Sequence, residues 1–175
     1  MLMPSLIDKH TNNIDSSGLL KIKTHINKNP KKELIIFEIA NNHMGDVKHG
    51  IKIIDELAKI KNYYTTDFEF AVKFQFRDLN SFIHPSFKGS NLKFVKRFES
   101  TKLTKKEWEI LFKRAKKHKF KLLATPFDEK SVKRIIDLNF KIIKIASCSL
   151  TDWPLLESIS LTKKEVIFST AGSSL

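Results

Sequence analysis

A chain of 175 residues, 41% hydrophobic and 29% charged, is long enough for one sizeable core, since a domain of about 150 residues buries roughly 70% of its extended-chain surface. No apolar run approaches the ~20 residues that cross a bilayer, and a lone cysteine, Cys148, excludes an intrachain disulfide. The formal charge of +13, from 32 Lys+Arg against 19 Asp+Glu, raises nucleic acid as a partner, yet arginine occurs only at 77, 97, 114 and 134. Lysines spread over amphipathic helices form a solvated face, whereas bidentate reading of bases favours arginine; composition therefore argues against nucleic acid. The start, Met1 to Asp8, has neither a basic leader nor a continuous apolar stretch. With the single cysteine this sets the expectation of a cytoplasmic protein without membrane contact.

Residues 1–32 are polar and rich in Asn, Ser and Lys, with an apolar island at Leu19, Leu20 and Ile22. They read as an N-terminal extension, the island being a strand, a hairpin or part of a tail. From residue 33 to 175 the pattern is regular. Five apolar runs read as strands: one ending at Glu38-Ile39-Ala40, then Ala71-Val72-Lys73-Phe74-Gln75, Leu122-Leu123-Ala124-Thr125, Ile142-Ile143-Lys144-Ile145 and Val166-Ile167-Phe168. Each is followed by small or charged polar residues.

Between the runs the apolar period becomes helical. A helix opens near Asp46 and carries Ile51, Ile54, Leu57 and Ala58 on one face. After a long insert, Thr104 and Glu107 stand at capping-box spacing before Trp108, Leu111, Phe112 and Ala115. Asp128 caps a helix with Val132, Ile135, Ile136 and Leu138, and Asp152 with Pro154 opens another through Leu155, Leu156 and Ile159. Alternating strands and helices imply a parallel sheet with crossover helices.

With five glycines in all, no G-x-G-x-x-G or P-loop announces the nucleotide site of an open doubly wound sheet. Polar residues instead gather at the C-terminal end of every strand, as in a barrel active site. The expected fold class is α/β, a TIM-type (β/α) barrel truncated after about five strand–helix units.

Lys73 and Lys144 sit inside apolar strands, where a lone ammonium is costly without a counter-ion. Lys73 shares a strand face with Ala71 and Gln75, and Lys144 with Ile142 and Ala146. Edge lysines that snorkel into water are the bland alternative. Two at matching positions, each followed by small polar residues, point instead to a phosphate or carboxylate ligand, to which the strand-end hydroxyls Thr125, Ser147, Ser169 and Thr170 could also donate. Glu38 needs a partner in its strand, and Lys73 of the next strand is the obvious one; a substrate-orienting carboxylate is the functional alternative. His43, in a loop ending at Gly45, reads as ligand, acid or turn residue. Cys148 reads as a small packing residue rather than a nucleophile, with no histidine near it in sequence.

Five segments together resemble the strand-end motifs of the sialic acid synthase (N-acetylneuraminate synthase) family: Glu38 to Asp46, Ala71 to Gln75, Thr125 to Asp128, Lys144 to Ser147 and Ser169 to Gly172. The resemblance spans about residues 34–173. It implies a barrel enzyme that condenses phosphoenolpyruvate with an N-acetylmannosamine-like aldose, forming a C–C bond and releasing phosphate. Lys73, Lys144, Thr125, Ser147 and Ser169 would hold phosphoenolpyruvate, Glu38 would work on the sugar side as a catalytic residue, and Gln75, the second catalytic candidate, would lie close to the metal and substrate. It further implies a divalent metal, manganese or magnesium, as Lewis acid, and a homodimer in which a C-terminal domain covers the partner's site.

Three departures stand against the pattern. Ser149 replaces a glutamate near the reacting centre. The family's two metal-binding histidines belong to later strands, and its C-terminal domain is missing, so the expectation is a silent or weak catalyst. Other phosphoenolpyruvate-dependent sugar acid synthases and a basic non-catalytic binding module are the alternatives.

Overall fold

The computed structural model describes residues 32–64 and 68–172; the extension with its apolar island lies outside the described residues. The strands are β1 (Glu33–Glu38), β2 (Phe68–Phe76), β3 (Lys121–Pro126), β4 (Ile142–Ile145) and β5 (Glu165–Phe168). All neighbours pair in parallel, in the order β1-β2-β3-β4-β5. Helices α1 (Val47–Tyr63), α4 (Lys105–Lys117), α5 (Glu129–Asp137) and α6 (Trp153–Ser160) make the crossovers. The insert between β2 and α4 folds into α2 (Leu79–Phe82), a short 3₁₀ turn at Pro85–Phe87 and α3 (Lys93–Ser100). Sequential parallel order with a helix at each crossover is the winding of a TIM-type barrel, and the five strands curl into half of one.

The caps fall where the sequence placed them. Asp46 accepts from the Lys48 N–H at 2.7 Å, and Thr104 and Glu107 form the reciprocal capping box. Asp128 accepts from the Ser131 N–H at 2.7 Å, and Asp152 caps α6 with Pro154 in its first turn. Each such cap satisfies backbone donors that helix formation leaves unpaired, worth about 1 kcal/mol.

Strand alternation sorts β2 into two faces. Phe70, Val72, Phe74 and Phe76 are buried towards the helices. Phe74 meets Phe112 edge-on at 5.1 Å and Phe76 meets Trp108 at 5.4 Å, with Trp108 and Phe112 stacked at 5.7 Å. Such pairs add about 0.5–1.5 kcal/mol beyond the burial of their area. The other face carries Ala71, Lys73 and Gln75. Outside the core, Asp55 of α1 accepts from Arg114 at 2.5 and 2.7 Å and contacts His118 at 2.9 Å, tying α1 to α4.

Two expectations change. Ile136 is 47% exposed while Val132 and Ile135 are buried, because one further residue turns about 100° around α5 and out of the seam. Cys148 is exposed rather than packed: the 3₁₀ turn Ser147–Ser149 that follows β4 puts Ser149 inside instead.

Candidate functional site

The strand register builds the site. Glu38 of β1 lies opposite Lys73 of β2, and Lys73 is opposite Leu123 while Gln75 is opposite Thr125. Leu123 is in turn opposite Ile142 of β4, and Lys144 is opposite Ile167 of β5. Partners at the same register point to the same side, and residues two apart share that side. Glu38, Lys73, Gln75, Thr125 and Lys144 therefore occupy one face, opposite the aromatic core, at the C-terminal ends of their strands. Ser169 follows β5 by one residue on the same parity, its N–H donating to the Ile145 carbonyl at 3.2 Å.

The polar contacts on this face are few. Lys73 is paired with Glu38 at 2.5 Å, with the lysine side chain only 15% exposed. The second Glu38 oxygen accepts from the Ala40 N–H at 2.8 Å, where Ala40 turns left-handed and ends the strand. Lys144 makes no hydrogen bond or ion pair with the described residues. Its pKa is held below the ordinary lysine value by burial first and then by the positive charge of Lys73, with Glu38 and Cys148 opposing. Thr125 is 1% exposed, and its hydroxyl has no hydrogen-bond partner. Two cations thus share one carboxylate beside an unused donor.

Ser147 lies just past the end of β4, outside the strand alternation. It opens the 3₁₀ turn after β4, and its hydroxyl bonds to none of the described residues. His43 resolves to the bland reading. It is fully buried, its Nδ1 accepts from the Gly45 N–H at 3.1 Å, and its ring stands edge-on to Trp108 at 5.3 Å. Burial, then the nearby His49, holds its pKa down. With Nδ1 accepting, a neutral ring carries its proton on Nε2, which is buried without a hydrogen-bond partner among the described residues.

Arg77 is a residue that sequence reasoning passed over. It donates to the Gln75 side-chain oxygen at 2.9 Å, and its guanidinium lies 3.9 Å from the Phe127 ring centre and 4.7 Å from that of Phe98. Burial pushes its pKa down to about 10. The signal was present, since Arg77 continues the alternation Ala71, Lys73, Gln75. What was hidden is the phenylalanine cage, which the insert supplies through Phe82 and Phe98. A cavity of about 280 Å³ opens beside it, reaching Gln75 but not the lysine pair.

Among the described residues no group of three or more His, Cys, Asp or Glu side chains could hold a metal ion. Nor is any helix among them long and apolar enough to cross a membrane.

Five parallel strands with intervening helices define part of a TIM-type (β/α) barrel, and the polar cluster on the strands' C-terminal ends is its candidate site. The NeuB family profile matches residues 67–175, and the chain belongs to the NeuB family. The N,N'-diacetyllegionaminic acid synthase of Campylobacter jejuni is 34% identical over 157 residues, 83% of this chain and 44% of that protein. The uncharacterized protein MJ1065 of Methanocaldococcus jannaschii is 33% identical over 141 residues, 81% of this chain and 38% of its own length.

Among solved structures, a spore coat polysaccharide biosynthesis protein E from Chromobacterium violaceum superposes with a TM-score of 0.78 at 49% identity, covering 82% of this chain and 42% of that one. The N-acetylneuraminic acid synthetase of Leptospira borgpetersenii superposes with a TM-score of 0.69 at 30% identity, covering 82% and 46%. The chain spans less than half the length of these relatives.

Proposed function

We propose that the chain carries the phosphoenolpyruvate-binding part of a sugar acid synthase that condenses phosphoenolpyruvate with an N-acetylmannosamine-like aldose to give a nonulosonic acid. The observation that carries this reading is the pair Lys73 and Lys144 on one sheet face with a single carboxylate, Glu38, between them electrostatically. A ligand with a phosphate and a carboxylate supplies the missing negative charge. Support for a nonulosonic acid product comes from relatives named as legionaminic and sialic acid synthases.

In this reading Lys73 and Lys144 neutralise the phosphate and carboxylate, and the Thr125 hydroxyl donates to one of their oxygens. Ser169 and Ser147 add donors from the ends of β5 and β4. Glu38 and Gln75 stand on the sugar side, where Glu38 exchanges its bond to Lys73 for one to a substrate hydroxyl. Arg77 holds the Gln75 amide by its oxygen and leaves the NH₂ free to donate. The enol carbon then attacks the aldehyde carbon, whose oxygen takes up a proton. Water adds to the oxocarbenium carbon so formed and gives up a proton, and phosphate departs from that tetrahedral carbon with cleavage of its C–O bond, leaving the 2-keto acid. Manganese or magnesium belongs to the same family-based reading, but the described residues do not fit such an ion, so the roles assigned to them concern the organic substrates. A homodimer with a partner-covered site is part of the reading as well.

Calorimetric titration of the chain with phosphoenolpyruvate tests it. Lys73→Met and Lys144→Met are each expected to weaken binding about tenfold or more, since a charge-assisted bond is worth about 1.5–3 kcal/mol. Unchanged affinity in both variants would sink the reading. Condensation assayed with N-acetylmannosamine and with arabinose 5-phosphate separates the two sugar classes, and turnover of only the phosphorylated pentose would replace the nonulosonic product with an ulosonic acid phosphate.

A further inference from the structure

The cavity at the end of β2 carries positive charge that the lysine pair does not explain. Its wall holds Arg77, Lys102, Lys130 and Arg134 against a single acid, Asp78, and Asp78 is already bonded to Lys130 at 2.7 Å. Arg134 comes from α5, on the helix side of the sheet, with its guanidinium 4.6 Å from the Phe76 ring centre and 5.5 Å from that of Trp108. It makes no hydrogen bond or ion pair with the described residues. Arg77 spends one bond on Gln75, while its Nε is buried without a partner.

Burial holds the pKa of both guanidinium groups below the ordinary arginine value, only partly offset at Arg77 by Cys148, Asp128 and Glu38 and by nothing at Arg134, yet neither sheds its proton near neutrality. Aromatic faces stabilise such cations by less than burying an ion costs. A counter-anion closes that gap. The guanidinium fork matches the paired oxygens of phosphate and carboxylate, and about 280 Å³ lies at the small end of metabolite pockets. Asn41, Asn80 and Thr101 line the same space and offer neutral donors.

We propose that this cavity is a second anion site, separate from the lysine pair, which takes the phosphate or carboxylate group of a small metabolite on Arg77 and Arg134. The arginine inventory makes the test sparse. With ¹⁵N-arginine labelling, the side-chain Nε–H signals come from Arg77, Arg97, Arg114 and Arg134 alone, and Arg114 is held by Asp55. The chain is titrated with inorganic phosphate at an ionic strength held constant with chloride, and separately with acetate.

Saturable shifts are expected at Arg77 and Arg134 with Arg114 unmoved, and with Arg97, whose charge already acts on Arg77, moving less than either. They persist in Lys144→Met, and Arg134→Met weakens phosphate binding about tenfold or more. Should Arg134→Met fail to fold by circular dichroism, the wild-type and Lys144→Met titrations decide. Stronger binding of phosphate assigns the site to a phosphoryl group and stronger binding of acetate to a carboxylate; both uphold it. Absent shifts, shifts of all four signals alike, or shifts abolished by Lys144→Met would overturn it.

Discussion

Thr125 is buried to 1% with an unused hydroxyl, and a buried donor without a partner costs about 1–3 kcal/mol. Thr125→Val keeps the shape and removes that cost. It is expected to leave the thermal midpoint unchanged or raised while weakening phosphoenolpyruvate binding several-fold; lower stability with unchanged affinity would make the hydroxyl structural. Lys144 makes a pH prediction. Its folded pKa lies below 10.5 through burial and the charge of Lys73, so its charged form is disfavoured in the fold. Lys144 therefore costs stability while protonated, and the cost fades as pH rises through the folded pKa. Ligand affinity runs the opposite way, because the anion needs the ammonium. Phosphoenolpyruvate binding should weaken on the alkaline side below pH 10.5. Lys144→Arg, which stays charged, should flatten that limb; an unaltered pH profile would remove Lys144 from the binding charge.

At the scale of elements, the turn between β1 and α1 decides whether Glu38 and the asparagines after it are held in place. Gly45 sits at φ +75°, and a Cβ there would stand 2.6 Å from the Ser100 carbonyl oxygen, so the turn is wedged against the end of α3. Gly45→Ala should cost at least about 1–2 kcal/mol from the left-handed backbone alone, plus the clash. Gly89, at φ +69° with nothing within 4 Å, is the control that pays only the backbone part. Denaturant midpoints compare them, and equal shifts would mean that the close approach to α3 is absent in solution. The insert plays a related part for β2, since Phe82 and Phe98 hold Arg77 and Arg77 holds Gln75.

Over the whole molecule, the charge of +13 and the anion site are separate matters. Many lysines lie on helix faces away from the strand ends, as Lys59, Lys113 and Lys117 do. Binding of RNA through such a surface is a counter-ion effect and falls steeply with salt. Filter binding is expected to show RNA retention that vanishes by about 0.15 M salt, where the screening length is about 8 Å, and that is indifferent to Lys73→Met. Retention that survives at that salt and needs Lys73 would favour the basic binding module over the synthase.

The alternation of apolar runs with helical periods, the Asp46, Thr104, Asp128 and Asp152 caps and the two in-strand lysines were legible in the chain, because period, capping and the cost of a buried charge act over a few residues. The pairing of Glu38 with Lys73 was legible too, since successive parallel strands of one winding become neighbours. Register was not: only the sheet set Gln75 beside Thr125 and carried Lys144 into the field of Lys73. The cage around Arg77 and the isolation of Arg134 on Phe76 and Trp108 were decided by tertiary packing alone. Those contacts join residues tens of positions apart, and no local preference encodes which aromatic ring a guanidinium will meet.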